Sequence, residues 1–184
     1  MDFIWIYNYN MYDIICFKDK IQKRYCIFIL LTIMYIYLCY VLKYTQFPIY
    51  ASQTFRSMIG LHAWKNLNLV PLFNLTMEDL ETSFLNVLMT IPFGFGLPFI
   101  TKSTFKKIAI AGLLIGVIIE SLQGIIALLN GFSDRVVDLN DVIFNFSGTL
   151  IGYCIFKLFS YLFRLSVKKA NLKLNSLLKH IYEA

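Results

Sequence analysis

The sequence predicts an all-α integral membrane helical bundle with four transmembrane helices, interfacial segments and a basic amphipathic C-terminal tail. Composition is the first observation behind this fold class. Hydrophobic residues make up 58% of the 184 residues and charged residues 15%, whereas soluble domains average about 45–50% apolar and about 25% charged. The second observation is that the apolar residues form four long blocks, each close to the roughly 20 residues that cross a hydrocarbon core.

Three regions follow one another along the chain. Residues 1–24 are rich in Trp and Tyr, which favour the headgroup level, so we expect a cytoplasmic or interfacial segment. Residues 25–163 form one transmembrane domain with its apolar blocks at 25–42, 84–100, 108–130 and 142–163. Residues 164–184 alternate Leu and Lys, which predicts a basic amphipathic helix on the anionic inner leaflet.

The basic residues predict the orientation of these spans. Four, three and five Lys or Arg residues lie before the first span, between the second and third, and after the fourth, whereas the other two connections hold four in total. Because cytoplasmic loops carry the excess of Lys and Arg, we expect a cell-membrane protein with both termini in the cytoplasm and connections 43–83 and 130–141 outside. The net charge of +6 therefore reflects topology, and no nucleic-acid partner is expected.

Two segments depart from simple spans. The stretch 58–75 in the long outer connection is largely apolar, which predicts a segment on the outer membrane surface or dipping into it. The second span holds two Pro and two Gly between residues 92 and 98, so we expect a kinked or broken helix. Such an interruption marks a ligand site in some membrane proteins and a packing kink in others.

Six polar residues are concentrated at the predicted outer end of the last two spans: Glu120, Gln123, Arg135, Asp138, Asp141 and Asn145. A charged side chain at bilayer depth costs roughly 2.5–3.5 kcal/mol and therefore needs a partner or a function. Helical spacing places Glu120 and Gln123 on one face, and the residues at 138, 141 and 145 on another. Small residues continue both faces inward, so we expect the third and fourth spans to form an antiparallel hairpin with these faces inside.

The order of these motifs resembles that of VanZ-like membrane proteins. The resemblance covers roughly residues 30–163 and rests on these segments: Asn68-Leu-Val-Pro71, Asn86-x5-Pro92-x-Gly94, Glu120-x-x-Gln123 and Arg135-x-x-Asp138-x-x-Asp141-x3-Asn145-x-x-Gly148-x3-Gly152-Tyr153. Leu72 stands where family members often have Phe. The resemblance implies a multipass protein of the Gram-positive cell envelope linked to glycopeptide (teicoplanin) resistance, and it supplies no reaction.

Three interpretations of the polar residues stay open. The first is a structural network in which Arg135 pairs with Asp138 or Asp141, and Glu120 bonds to Gln123 and Asn86. The second is a binding site, in which Arg135 engages a phosphate or carboxylate and polar side chains hold a lipid-linked wall precursor or the glycopeptide. Its candidate binding residues are Asn68, Asn86, Gln123, Arg135 and Asn145.

The third interpretation is a membrane enzyme acting on a lipid head group or wall peptide. Its candidate catalytic residues are Glu120 as general acid or base, and Asp138 and Asp141 as oxygen ligands of a divalent cation. No nucleophile–base pair, phosphate loop or zinc motif supports it, so enzymatic activity stays undecided. The four cysteines show neither paired nor metal-like spacing, and no disulfide framework, metal site or cofactor is predicted. Membrane lipids are the expected partners, and the oligomeric state is not predicted.

Overall fold

The computed structural model describes residues 3–47, 49, 67–68, 70–72, 76–130, 137–171 and 174–183. Five helices lie in this part of the chain: α1 (Phe3–Gln46), α2 (Met77–Ile100), α3 (Phe105–Asn130), α4 (Leu139–Ala170) and α5 (Ser176–Glu183). Two short strands, β1 (Leu67–Asn68) and β2 (Val137–Asp138), pair in parallel.

The predicted all-α bundle with four membrane-spanning helices is confirmed. Four helices of the described chain are long and apolar enough to cross a membrane: Lys20–Gln46, Asp79–Ile100, Phe105–Leu129 and Leu139–Ala170. Large apolar side chains such as Phe28, Leu129 and Leu158 are exposed on their outer faces. Lipid tails are as apolar as these side chains, so exposure of this kind suits helices that lie in a bilayer.

Helix α2 begins earlier than its apolar block. Thr76 and Asp79 form a capping box in which each side chain bonds the backbone N–H of the other residue, and this satisfies free donors of the first helical turn. The helix then runs without interruption through Pro92 and Pro98 to Ile100. A broken helix, which the prolines allowed, is therefore not formed.

Helix α4 packs between α2 and α3. The predicted hairpin of α3 and α4 with small residues inside is confirmed, since Gly112 and Gly116 of α3 lie against α4, and α4 makes a still closer contact with α2. A Cβ atom added at Gly152 would overlap the carbonyl oxygen of Ile91, and one added at Gly148 would overlap the carbonyl oxygen of Val87. The two helix backbones are thus in direct contact, as small residues permit in membrane bundles.

The end of the bundle opposite the strand pair is closed by aromatic residues and by α5. Phe156, Tyr153 and Ile108 form a buried cluster against which Phe95 and Phe99 pack. Helix α5 contacts α1 and α4, and its His180 Nε2 lies 2.8 Å from the carbonyl oxygen of Phe99. Residues 3–17 continue α1 without a break, and their predicted interfacial position stays a prediction.

Candidate functional site

The strand pair brings two distant motifs together at one end of the bundle. Strands β1 and β2 place Asn68 opposite Asp138, and Asn68 Nδ2 donates a hydrogen bond of 3.1 Å to Asp138 Oδ2. The residues at 67–68 and 137–138 are the only ones in β-structure within the described parts of the chain. A short parallel ladder therefore fixes the connection between α1 and α2 against the start of α4.

Asp138 also caps helix α4. Its Oδ1 atom accepts a hydrogen bond of 2.8 Å from the backbone N–H of Asn140, which is the usual role of Asp at this position. Asn140 is 1% exposed, and its Oδ1 accepts a hydrogen bond of 2.7 Å from the backbone N–H of Leu72. The two side chains thus join the helix start to the turn that follows Asn68.

A second carboxylate meets this helix start from α3. Glu120 is 6% exposed, and its Oε2 accepts a hydrogen bond of 3.2 Å from the backbone N–H of Asp138. Glu120 also interacts electrostatically with the carboxylates of Asp141 and Asp138. Asp141 in turn interacts with the Asn86 side chain on α2 as its hydrogen-bond partner. Three helices therefore contribute polar side chains to one layer, formed by Asn86, Glu120 and Asp141, which we call the acidic layer.

Asn145 lies one helical turn below Asp141 and is fully buried, with 0% exposure. Its Cβ atom would be 3.3 Å from a Cβ placed on Gly116, and Gly116 precedes Glu120 by one turn of α3. Neither Oδ1 nor Nδ2 of Asn145 has a hydrogen-bond partner in the described parts of the chain. Buried polar groups are paired in the great majority of cases, so this amide is an exception that requires an explanation.

Gln123 bonds to α1, whereas the sequence suggested a bond to Glu120 on its own helix. It shares a helix face with Glu120, but its Nε2 donates a hydrogen bond of 3.2 Å to the carbonyl oxygen of Thr45 on α1. In return, Gln46 Nε2 donates to the carbonyl oxygen of Ile119 at 3.3 Å. These reciprocal bonds attach the end of α1 to α3 beside the acidic layer.

The structure thus brings together most of the residues predicted from the sequence: Asn68, Asn86, Glu120, Asp138, Asp141 and Asn145. Gln123 lies at the side of this group, and Arg135 lies outside the described residues. Asn140 and Gln46 were not predicted. Asn140 had a local signal, because Asp-x-Asn at a helix start is typical of capping, whereas the contact of Gln46 is between helices and has none.

The charges of the site are one-sided among the residues that the structure describes. Among the described residues, an ion pair joins Lys23 on α1 to Glu183 on α5 at 3.5 Å. This pair lies far from the acidic layer. Within the same residues, no three His, Cys, Asp or Glu side chains are close enough together to hold a metal ion.

The sequence was compared with models of known protein families. A sequence model of the family described as VanZ/LLP1 matches residues 27–160. The matched range is more than half of the chain and includes every residue of the site. No curated protein and no solved structure shows significant similarity to the chain.

Proposed function

The chain belongs to the VanZ/LLP1 family, and on this basis we propose that it is a multipass protein of the Gram-positive cell envelope that contributes to glycopeptide (teicoplanin) resistance. In this proposal the polar site faces the outside of the membrane and binds or influences a wall precursor or a lipid. The observation that carries the proposal is the convergence of Asn68, Glu120, Asp138 and Asp141 at one end of the bundle.

The distribution of charge supports an outward orientation. The basic residues Lys102, Lys106 and Lys107 lie at the opposite end of α2 and α3 from the acidic layer. Cytoplasmic connections carry such an excess, so the site belongs to the outer half of the bilayer under this proposal. The termini are then cytoplasmic, as the sequence predicts.

The chemistry of the site supports binding of a head group with several polar atoms. The amides of Asn68, Asn86 and Asn145 offer donors and acceptors, and the carboxylates offer acceptors. A lipid-linked wall precursor presents peptide and sugar groups at this depth, where hydrogen bonds compete with little water. Arg135, which lies outside the described residues, was predicted to hold a phosphate or carboxylate of the same ligand and stays a candidate.

A membrane enzyme is the second candidate, and the pairing of Glu120 with Asp141 favours it. Many enzymes that use general acid–base catalysis employ two interacting carboxyl groups in different environments. Glu120 is buried and bonded to a backbone N–H, whereas Asp141 interacts with the Asn86 side chain. The substrate in this case is a lipid head group or a wall peptide.

Expression in a susceptible Gram-positive strain tests the first proposal. We expect the wild-type chain and Glu81→Gln, an exposed control on α2, to raise teicoplanin tolerance, and Asp141→Asn to lose this effect at equal membrane abundance. Unchanged susceptibility with the wild-type chain present in the membrane contradicts a resistance role.

A second variant, Glu120→Gln, tests the enzyme candidate. Glu120→Gln keeps the shape and most hydrogen bonds of the side chain but cannot transfer a proton as a carboxyl group does. Full tolerance with Glu120→Gln at normal abundance rules out acid–base catalysis by Glu120, whereas a binding role survives such a result.

A further inference from the structure

We infer that the group recognised by the polar site is a protonated primary amine on an organic ligand, held between Glu120, Asp141 and Asn145. This inference rests on the proposed function, because it names the ligand chemistry of that same site. It differs from the anionic group that the sequence suggested for Arg135.

The first step is the charge of the site. Carboxylates from α3, β2 and α4 interact electrostatically with one another, and Asp79 on α2 adds a further negative charge that acts on Asp141. No basic side chain among the described residues forms an ion pair with them. Electrostatic interactions in a partly buried site are screened less than those at a surface, so a cation placed between these carboxyl groups would offset their mutual repulsion and favour their ionised forms.

The second step is the hydrogen-bond acceptor capacity that the carboxyl groups of the site still have. Asp138 is already engaged, because it accepts hydrogen bonds from Asn68 and from the backbone N–H of Asn140. The Glu120 carboxylate is bonded through one oxygen, Oε2, to the backbone N–H of Asp138. Glu120 and Asp141 therefore keep acceptor capacity for a ligand.

The third step is independent of the charges. Asn145 is fully buried with both polar side-chain atoms unpartnered. It lies one turn below Asp141 on α4 and packs against Gly116, one turn below Glu120 on α3. Asn145 is thus next to the acidic layer, one helical turn further along α4, and the unmet hydrogen-bonding capacity of its buried amide points to a ligand with a polar group.

The fourth step separates an amine from a metal ion. A calcium ion requires six to eight oxygen ligands at about 2.3–2.6 Å, and no three acidic, His or Cys side chains of the described chain converge in this way. A primary ammonium has three N–H donors directed apart. Glu120, Asp141 and Asn145 offer three acceptor groups, which equals the number of ammonium donors and is fewer than a calcium ion requires.

The amine can belong to a peptide or to a phospholipid, and the test distinguishes these sources. The purified full chain, in nanodiscs of phosphatidylglycerol, is titrated with a short peptide that carries a free lysine ε-amine and with its Nε-acetylated form. A parallel titration uses a short-chain phosphatidylethanolamine and its N-acetyl form. We expect the free amine to bind at least tenfold more tightly than the acetylated form in one of the two pairs, and that pair identifies the source.

Three variants check that binding occurs at this site. Asp141→Asn and Asn145→Leu are expected to lose the tenfold preference for the free amine, whereas Glu81→Gln keeps it. Leu has the branching of Asn without its polar atoms, so Asn145→Leu is expected to retain the melting temperature of the ligand-free chain. A purely structural Asn145 gives the opposite result, with a lower melting temperature and unchanged amine preference.

Four outcomes overturn the inference: equal binding of free and acetylated forms, no binding of either, tighter binding of calcium ions than of both amines, or amine binding that appears only in Arg135→Gln. The last outcome means that the guanidinium of the chain itself occupies the site. Amine binding without teicoplanin tolerance contradicts the proposed function alone, and tolerance without amine binding contradicts this inference alone.

Discussion

The contact between α2 and α4 at Gly152 allows a quantitative test of the packing. A Cβ atom added there would overlap the carbonyl oxygen of Ile91 and lie 2.9 Å from the backbone nitrogen of Phe95. These are backbone atoms that cannot rotate away, so Gly152→Ala forces the helices apart. Gly96→Ala is the matched control on α2, because its new Cβ would meet only the terminal methyl group of Met34, which is the end of a flexible side chain.

Two terms of opposite sign determine the expected stability of these variants. Overpacking costs about 1–3 kcal/mol, whereas Ala is favoured over Gly inside a helix by about 0.5–1 kcal/mol. For Gly152→Ala the clash dominates, and we expect a net loss of about 1–2 kcal/mol. For Gly96→Ala the helix preference dominates, and we expect a gain of up to about 1 kcal/mol.

The two variants should therefore differ by about 1–3 kcal/mol, which corresponds to roughly 2–12 °C in melting temperature for a chain of this size. The measurement is thermal unfolding of both variants and the wild type, purified in the same detergent and followed by loss of helical circular dichroism. Equal melting temperatures for Gly152→Ala and Gly96→Ala would refute the direct backbone contact between α2 and α4.

Four further predictions concern single contacts. Asp138→Ala removes the cap of α4 and should cost about 1 kcal/mol in detergent unfolding, whereas Asp138→Asn keeps a capping side chain and should cost less; equal losses would contradict the capping role. Gln123→Leu removes the hydrogen bond to α1 and should cost about 0.6 kcal/mol, the average for such bonds in membrane bundles; no loss would mean that α1 is held by packing alone. Lys23→Ala breaks an ion pair whose side chains are 52% and 47% exposed and should change stability by less than about 1 kcal/mol, with a larger change showing that α5 depends on it. With the native cysteines replaced by Ser, a cysteine at position 81 should react with an impermeant thiol reagent from outside and one at position 106 only after permeabilisation, and the reverse pattern would invert the topology.

The spans could be predicted from the sequence because hydrophobic length is a local property. The ends of the helices could not, since they depend on hydrogen bonds at single residues. Helix α2 begins before its apolar block because Thr76 and Asp79 cap it, and α4 extends to Ala170, past the last apolar residue of its block. In both cases backbone hydrogen bonding continues the helix beyond the point where hydropathy falls.

The candidate site shows the same division between local and long-range information. Asp138, Asp141 and Asn145 could be placed on one face because helical spacing is local. The partner of Gln123 could not be predicted, because the choice between Glu120 on its own helix and Thr45 on α1 depends on how the helices pack. Asn140 carries a local capping signal at the helix start, but its contact with Leu72, almost 70 residues away in the sequence, could not be predicted.

The polar part and the close-packed part of α4 follow one another along the helix. Substitutions in the two parts should therefore have different effects on protein abundance and on activity. Its first two turns carry Asp141 and Asn145, whereas the next two carry Gly148 and Gly152 in backbone contact with α2. Substitutions in the second part change packing directly, so they should lower abundance and activity together. Substitutions in the first part remove polar groups and leave the glycine contacts intact, and Asn145 has no hydrogen-bond partner to lose among the described residues, so they should lower activity while abundance stays near that of the wild type. A scan along α4 that measures both quantities should therefore show a boundary between residues 145 and 148, and a uniform fall in abundance across it would mean that the acidic layer is structural.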